Sequence, residues 1–237
     1  MSLVLGLDTA AGVSVGLARD GVVLARRWLE ESRRHVESLV PLVAEVLAAA
    51  GLGIRDLTAV AVGLGPGPFT GLRVGVVAAQ TLADARGLPL RRVCSLDVVA
   101  LSHVVARDAT TGRDPVAAWG HVVARDRAGA GEFLATLDAR RHEVYWARYD
   151  AAGRRLDGPR VGPPQSLPDL PLVGYGGVPG RDRPEAAGPA GPTVDAGLLA
   201  ARADDLPEAG PEPLYLRRPD AVVSTTRKSV VPGGGRP

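Results

Sequence analysis

One pattern, present twice, constrains this chain more than any other feature. Leu3 to Leu7 is a short apolar run ending at Asp8, and Val13, Val15 and Leu17 then alternate with small or polar residues up to Asp20. Far along the chain Phe133 to Leu137 ends at Asp138, and an alternating run from Glu143 to Tyr149 ends at Asp150. In both copies the second aspartate follows the first by twelve positions (8 to 20, 138 to 150), and both close on turn signals, Asp20-Gly21 and Asp150-Ala151-Ala152-Gly153. Runs of this length bounded by turn residues predict strands. Their recurrence predicts a duplicated unit, with a chance match between two ordinary strand–turn–strand pieces as the competing reading. Helical patterns come after the strands, so each copy is expected to form a mixed sheet flanked by helices, an α/β chain of two lobes.

Within the first lobe, Val22 to Leu29 reads as the strand returning from the Asp20-Gly21 turn. Val36, Leu39, Val40, Val43, Val46, Leu47 and Ala50 recur at helical spacing, with Gly51 as a C-terminal cap. Pro41 lies inside that pattern and predicts a kink or a helix start later than His35. Val60 to Leu64 is a further strand, a helix is expected from about Thr70 to Arg86, Leu90 to Ser95 is a short strand, and Asp97 to Val105 is a helix. These boundaries give a first lobe over 1–106 and a loop insertion over 107–131. A second lobe is expected over 132–218, with a Pro/Gly-rich stretch to Pro192, a helix from Asp195 to Asp204 and an extended piece from Pro213 to Arg217. Residues 219–237 are polar, end in Pro-Gly-Gly-Gly-Arg-Pro, and are expected to form a disordered tail.

Between the strand at 60–64 and the helix at 70–86 stands Gly65-Pro66-Gly67-Pro68-Phe69-Thr70-Gly71-Leu72-Arg73-Val74-Gly75. Glycine-rich loops in that position often cradle phosphate, but a Walker loop needs lysine and Ser/Thr after its last glycine, and here Leu72-Arg73 come after Gly71. A dinucleotide loop needs G-x-G-x-x-G, which the spacing from Gly67 to Gly71 breaks, and two prolines remove N–H donors. The packing reading is stronger. Gly71, Gly75 and Ala79 fall four apart as a small-residue stripe, and Val74, Val77, Ala78, Thr81 and Leu82 add apolar surface around the same helix. Such a helix is buried on more than one side. It is either a central helix of this domain or one that also meets another chain.

Composition narrows the function classes. Hydrophobic residues make up 46% and charged residues 23% of 237, and no apolar run reaches the roughly 18 to 20 residues that span a bilayer. The start, Met1 to Asp8, reads as a strand rather than a signal peptide, so a cytoplasmic location is expected. The pI near 9.0 suggests a nucleic-acid binder, yet net charge is only +2 and Arg alternates with Asp and Glu instead of clustering. Tight binding of tRNA by this chain alone is therefore not expected. A single cysteine, Cys94, excludes an intramolecular disulfide and reads as a buried structural thiol.

The duplicated unit resembles the actin/Hsp70-like (ASKHA, duplicated ribonuclease-H-like) fold, in which the first aspartate hairpin of each lobe cradles nucleotide phosphate. By that resemblance Asp8 and Thr9 would be a vestigial phosphate loop, continued by small residues to Gly12. Asp8 then either holds a magnesium-bound water or caps its own turn, the second being the better reading. The other hairpin, Asp138-Ala139-Arg140-Arg141-His142, lacks glycine and is a poor phosphate clamp. The metal-binding His-x-x-x-His pair of some members of the fold has no counterpart among His35, His103, His121 and His142. No metal, cofactor or catalytic residue is therefore expected.

More closely, Leu7-Asp8-Thr9-Ala10, His35 ahead of a proline-containing helix, and Gly65 to Arg73 resemble the TsaB (YeaZ) family. Asp138 to Ala147 and Glu212 to Arg217 match that family's second-lobe and terminal signatures. The resemblance implies a non-catalytic subunit for threonylcarbamoylation of the adenosine beside the anticodon in tRNA. Its implied partners are a TsaD-type catalytic subunit, which it binds and activates, and a TsaE-type ATPase, with tRNA met only through the complex. Alone it would form a homodimer. The implied partner surface lies on the first two helices, at Val36, Leu39, Val40, Val43, Leu47, Gly71, Val74, Gly75, Ala78, Ala79 and Leu82. Pro68, where the family commonly has serine, and the 107–131 insertion depart from the family pattern. The alternative is a small-molecule kinase or ATPase of the same fold.

Overall fold

The computed structural model describes residues 1–29, 35–110, 131–174 and 194–217. The first sheet has five strands in the order β3-β2-β1-β4-β5, formed by β1 (Leu3–Asp8), β2 (Val13–Arg19), β3 (Val22–Leu29), β4 (Ala59–Gly63) and β5 (Leu90–Val93). The second has four in the order β8-β7-β6-β9, from β6 (Phe133–Asp138), β7 (Val144–Tyr149), β8 (Arg155–Gly162) and β9 (Leu172–Gly174). In both, an antiparallel three-strand meander is joined by a strand parallel to its first member, β4 beside β1 and β9 beside β6. The predicted duplication is therefore present, and it extends two strands further in each lobe than the two-strand repeat read from the sequence.

Among the described residues the α-helices are α1 (His35–Ala49), α2 (Phe69–Arg86), α3 (Ser95–Thr110) and α4 (Ala196–Arg202). Pro41 does not delay α1, which begins at His35. Pro41 and Glu37 are both exposed, so the Glu37 carbonyl left without a donor faces solvent. α2 ends at Gly87, whose left-handed φ of 61° lets its N–H close on Asp84. α3 runs to Thr110 and so takes in the first residues of the predicted 107–131 loop, whose remainder lies outside the described residues, as does the predicted tail. β8 and β9 replace part of the predicted Pro/Gly-rich stretch. The predicted extended piece at 213–217 is not a strand, although Leu214 N–H donates to Leu64 O at 2.8 Å.

Residues 132–218 do not form one lobe. The strands build the second sheet, but α4 returns to the first and packs on β1, β2 and β3. Glycine explains the approach. Gly6 and Gly16 are register partners on adjacent strands, and together they leave a notch in the sheet surface. A Cβ on Gly6 would stand 2.2 Å from Ala196 O, and one on Gly16 2.2 Å from Gly197 N. Asp195 caps α4 by accepting from Gly197 and Leu198 N–H, and it is paired with Arg26 of β3.

Three apolar cores result among the described residues, the smallest on the second sheet at Leu134, Val144, Trp146, Leu167 and Leu172, and two larger ones. One lies between the first sheet and the helices α1 and α2, through Leu5, Val15, Val60, Leu39, Val46 and Ala79. The other joins α3 and α4 to the second sheet, through Leu96, Leu101, Leu137, Tyr149 and Leu199. Gly16→Ala is expected to lower stability by about 1–3 kcal/mol, because the added methyl meets helix backbone that cannot swing aside. Thermal or urea unfolding measures it, and an unchanged midpoint would mean that α4 is not seated in this notch.

Candidate functional site

The site predicted from the sequence divides into the Asp8–Thr9 hairpin with its neighbours and the two helices α1 and α2. At the hairpin, Asp8 is 1% exposed. Its Oδ1 accepts from Ala10 N–H at 2.8 Å, closing the turn, and its Oδ2 accepts from the Ser95 hydroxyl. A Cβ on Gly63 would lie 1.7 Å from Oδ2, so the carboxylate fills the space that this glycine leaves. Burial pushes the Asp8 carboxyl up to about 6, against the lowering effect of the Ser95 and Ala10 hydrogen bonds. Thr9 is as deeply buried. Its hydroxyl donates to Gly71 O at 2.8 Å and accepts from Gly75 N–H at 3.2 Å.

The Gly65–Pro68 loop closes over this hairpin. Gly67 packs so tightly on the turn that a Cβ there would lie 2.9 Å from Ala10 Cα. Gly65 N–H donates to Ser95 Oγ at 3.0 Å, and Tyr145 Oη of the second lobe reaches Gly67 O at 3.4 Å. The loop therefore lies between the two aspartate hairpins. The second hairpin repeats the first turn, with Arg140 N–H donating to Asp138 Oδ1 at 2.7 Å. The two hairpins differ at the tip, since Arg140, Arg141 and His142 all have left-handed φ, between 53° and 61°. Branched or long residues adopt that conformation only at a cost, and here all three are exposed. Among the described residues no group of three or more His, Cys, Asp or Glu is placed to hold a metal ion.

The small-residue stripe of α2 faces inward. Gly71, Gly75 and Ala79 are buried, and a Cβ on Gly75 would meet Thr9 Oγ1 at 2.4 Å. Leu39 and Leu47 of α1 are buried in the same core. These five residues pack the chain on itself. Val43, Val74, Ala78 and Leu82 are half-buried, and Val40 is 71% exposed; the Val36 side chain lies outside the described residues.

The implied partner surface omits two apolar residues exposed on the outer face of α2. Val77 is 57% exposed on α2, and Phe69 is 41% exposed at its start. Phe69 stacks at 4.8 Å between ring centroids on Tyr215, and Arg73 lies over its ring at 5.2 Å. Val77 carried a signal in the apolar positions around the helix. The pairing of Phe69 with Tyr215, from distant parts of the chain, carried none.

This geometry belongs with a group of known proteins. The family model described as TsaD, tRNA N6-adenosine threonylcarbamoyltransferase, matches residues 29–161. The solved structure of YeaZ from Pseudomonas aeruginosa is 30% identical, with a TM-score of 0.53 over 71% of this chain and 70% of that one. The chain belongs to the TsaB (YeaZ) family. The Escherichia coli strain K12 protein described as tRNA threonylcarbamoyladenosine biosynthesis protein TsaB is 37% identical over 62% of this chain. An uncharacterized protein of Mycobacterium leprae is 41% identical over 93% of it. The chain spans 54% of the length of the first of these relatives and 56% of the second.

Within this TsaB-family chain Asp8 ties the turn, the loop and α3 together, and its proton sets a pH signature. A carboxyl held near 6 in the folded state and near 3.8 unfolded takes up a proton on folding between those values. Its contribution is complete below about pH 4 and is lost as pH rises through 6, an effect on the order of 2–3 kcal/mol. Asp8→Asn is expected to remove this component, flattening stability between pH 4 and 7 in urea titrations. An unaltered pH profile in the variant would place the proton elsewhere.

Proposed function

We propose that this chain is a non-catalytic subunit for the threonylcarbamoylation of tRNA. In this reading it binds and activates a TsaD-type catalytic subunit, works in the cytoplasm beside a TsaE-type ATPase, and meets tRNA only through that assembly. The supporting observation is that the place between the two aspartate hairpins is taken up by the chain's own atoms. The Gly65–Pro68 loop rests on Ala10 on one side and faces Tyr145 on the other, while both carboxylate oxygens of Asp8 and both hydrogen-bonding roles of Thr9 are engaged internally. A phosphate site needs several free N–H groups converging at close range. The kinase or ATPase alternative gains nothing from this arrangement.

What the chain offers instead is a surface. α1 and α2 lie side by side on one face of the first sheet, and their outer sides carry Val40, Val77 and Phe69, flanked by Val43, Val74, Ala78 and Leu82. Apolar side chains left exposed on neighbouring helices suit a helix-on-helix contact with another chain. We assign the catalytic partner to this face, and a second copy of the chain when that partner is absent.

Depletion of the protein in its own cells, with mass spectrometry of tRNA nucleosides as the readout, is expected to remove threonylcarbamoyladenosine; undiminished levels would sink the assignment. On the purified pair, Val77→Arg is expected to weaken binding to the TsaD-type subunit by at least about 2 kcal/mol, some thirtyfold, with an unchanged melting midpoint. Light-scattering size exclusion reads the loss. Gly75 is unsuitable for this purpose, since a side chain there would strike Thr9 first.

A further inference from the structure

A buried polar cluster joins the two lobes, and the partner surface does not use it. Asp97 stands in the first turn of α3, two residues after Ser95 is fixed to Asp8 and Gly65 of the first lobe. Asp97 itself reaches the other way and is 2% exposed. Tyr149 Oη, from β7, donates to Asp97 Oδ1 at 2.7 Å, and Arg155 Nε, at the start of β8, lies 3.5 Å from the same oxygen. Asp97 Oδ2 is buried without a hydrogen-bond partner. Burial raises the Asp97 carboxyl despite Arg155 and Tyr149, and burial together with the Asp97 charge pushes the neighbouring Cys94 thiol up to about 12.

Residues 209–217 add a second tie. Leu214 N–H donates to Leu64 O and Ala209 N–H to Arg92 O, both on the first lobe, whereas Arg217 pairs with Glu143 on the second. Ala209 and Leu214 pack against both larger apolar cores.

We propose that Asp97, gripped by Tyr149 and Arg155, is an inter-lobe latch that fixes the angle between the two sheets from within, so that no ligand between the lobes is needed to set it. Apolar packing alone is non-directional and allows two surfaces to slide. A charge-assisted hydrogen bond has a preferred geometry, and a small shift of the lobes that broke it would leave the buried Asp97 carboxylate without its partners. The buried pair therefore sets orientation more than it adds stability. This inference stands apart from the identity of any partner.

The test is a distance distribution between nitroxides at Ala85→Cys on α2 and Gln165→Cys beyond β8, on the full chain. Buried Cys94 stays unlabelled. The otherwise unaltered chain is expected to give one narrow distance that ATP with magnesium leaves in place. Tyr149→Phe keeps the ring against Phe133 and removes only the hydroxyl. It and Arg155→Met are each expected to broaden the distribution and shift it to longer distances. Leu42→Ala, a lesion in the other large core, is expected to lower the melting midpoint without moving the distance. The latch is overturned if folded Tyr149→Phe keeps the narrow distance, if Leu42→Ala broadens it equally, or if nucleotide shortens it in the unaltered chain. Should Arg155→Met fail to fold, Tyr149→Phe alone decides.

Discussion

The arrangement of the first lobe hangs on two adjacent side chains at the end of β1. Asp8 holds its own turn through Ala10 N–H and reaches Ser95 at the start of α3, and Ser95 in turn accepts from Gly65 N–H at the mouth of the loop. Thr9 bridges Gly71 O and Gly75 N–H one turn apart on α2. These contacts tie a strand, a loop and two helices within a space that admits no further atom, as the absent side chains of Gly63 and Gly75 record. Buried polar groups are tolerated only when they are hydrogen-bonded, and here the satisfaction of each requires the others to be in place. That dependence is why the loop geometry is set by β1 and not by the loop's own sequence.

The second lobe shows what happens to the same unit without that knot. The strand order, the parallel fourth strand and the aspartate-closed turn are all retained. Yet the tip after Asp138 carries Arg140, Arg141 and His142 in left-handed conformations, where the first copy has Ala10, Ala11 and Gly12. Backbone hydrogen bonding has preserved the turn in each copy while the side chains that gave it chemistry have diverged. The duplication is thus a property of the fold, and any function must be sought where the copies differ.

Much of this was legible. Alternation over 13–19 and 143–149 located the two hairpins even though β2 and β7 are buried on both faces, small residues such as Gly16, Ala18 and Ala147 filling alternate positions, and the small residues at 71, 75 and 79 lie on a tightly packed side of α2. What approaches them was not legible, since Thr9 reads as an ordinary turn residue until β1 is laid beneath α2. The return of α4 to the first sheet was hidden for the same reason. Gly6 and Gly16 become a notch only when the strand register pairs them, and period-2 reasoning gives a residue with no side chain no weight. β8 was missed because Gly158 and Pro159 interrupt it, and prolines are admitted to strands at a sheet edge, which is where β8 lies.

The helix α2 resolves a tension that periodicity alone leaves open. A helix apolar around much of its surface is either enclosed by its own domain or shared with another chain, and the two readings require different residues. On α2 the glycine–alanine stripe and the most exposed apolar side chains lie on different sides, with Leu72 buried beside the stripe. Gly71, Gly75 and Ala79 face the sheet, where the distance to β1 is set by Thr9 and leaves no room for more. Val77 and Phe69 face outward, 57% and 41% exposed. A small-residue stripe read from sequence therefore marks the inner side of this helix, and its exposed apolar side chains lie on the side the stripe leaves behind.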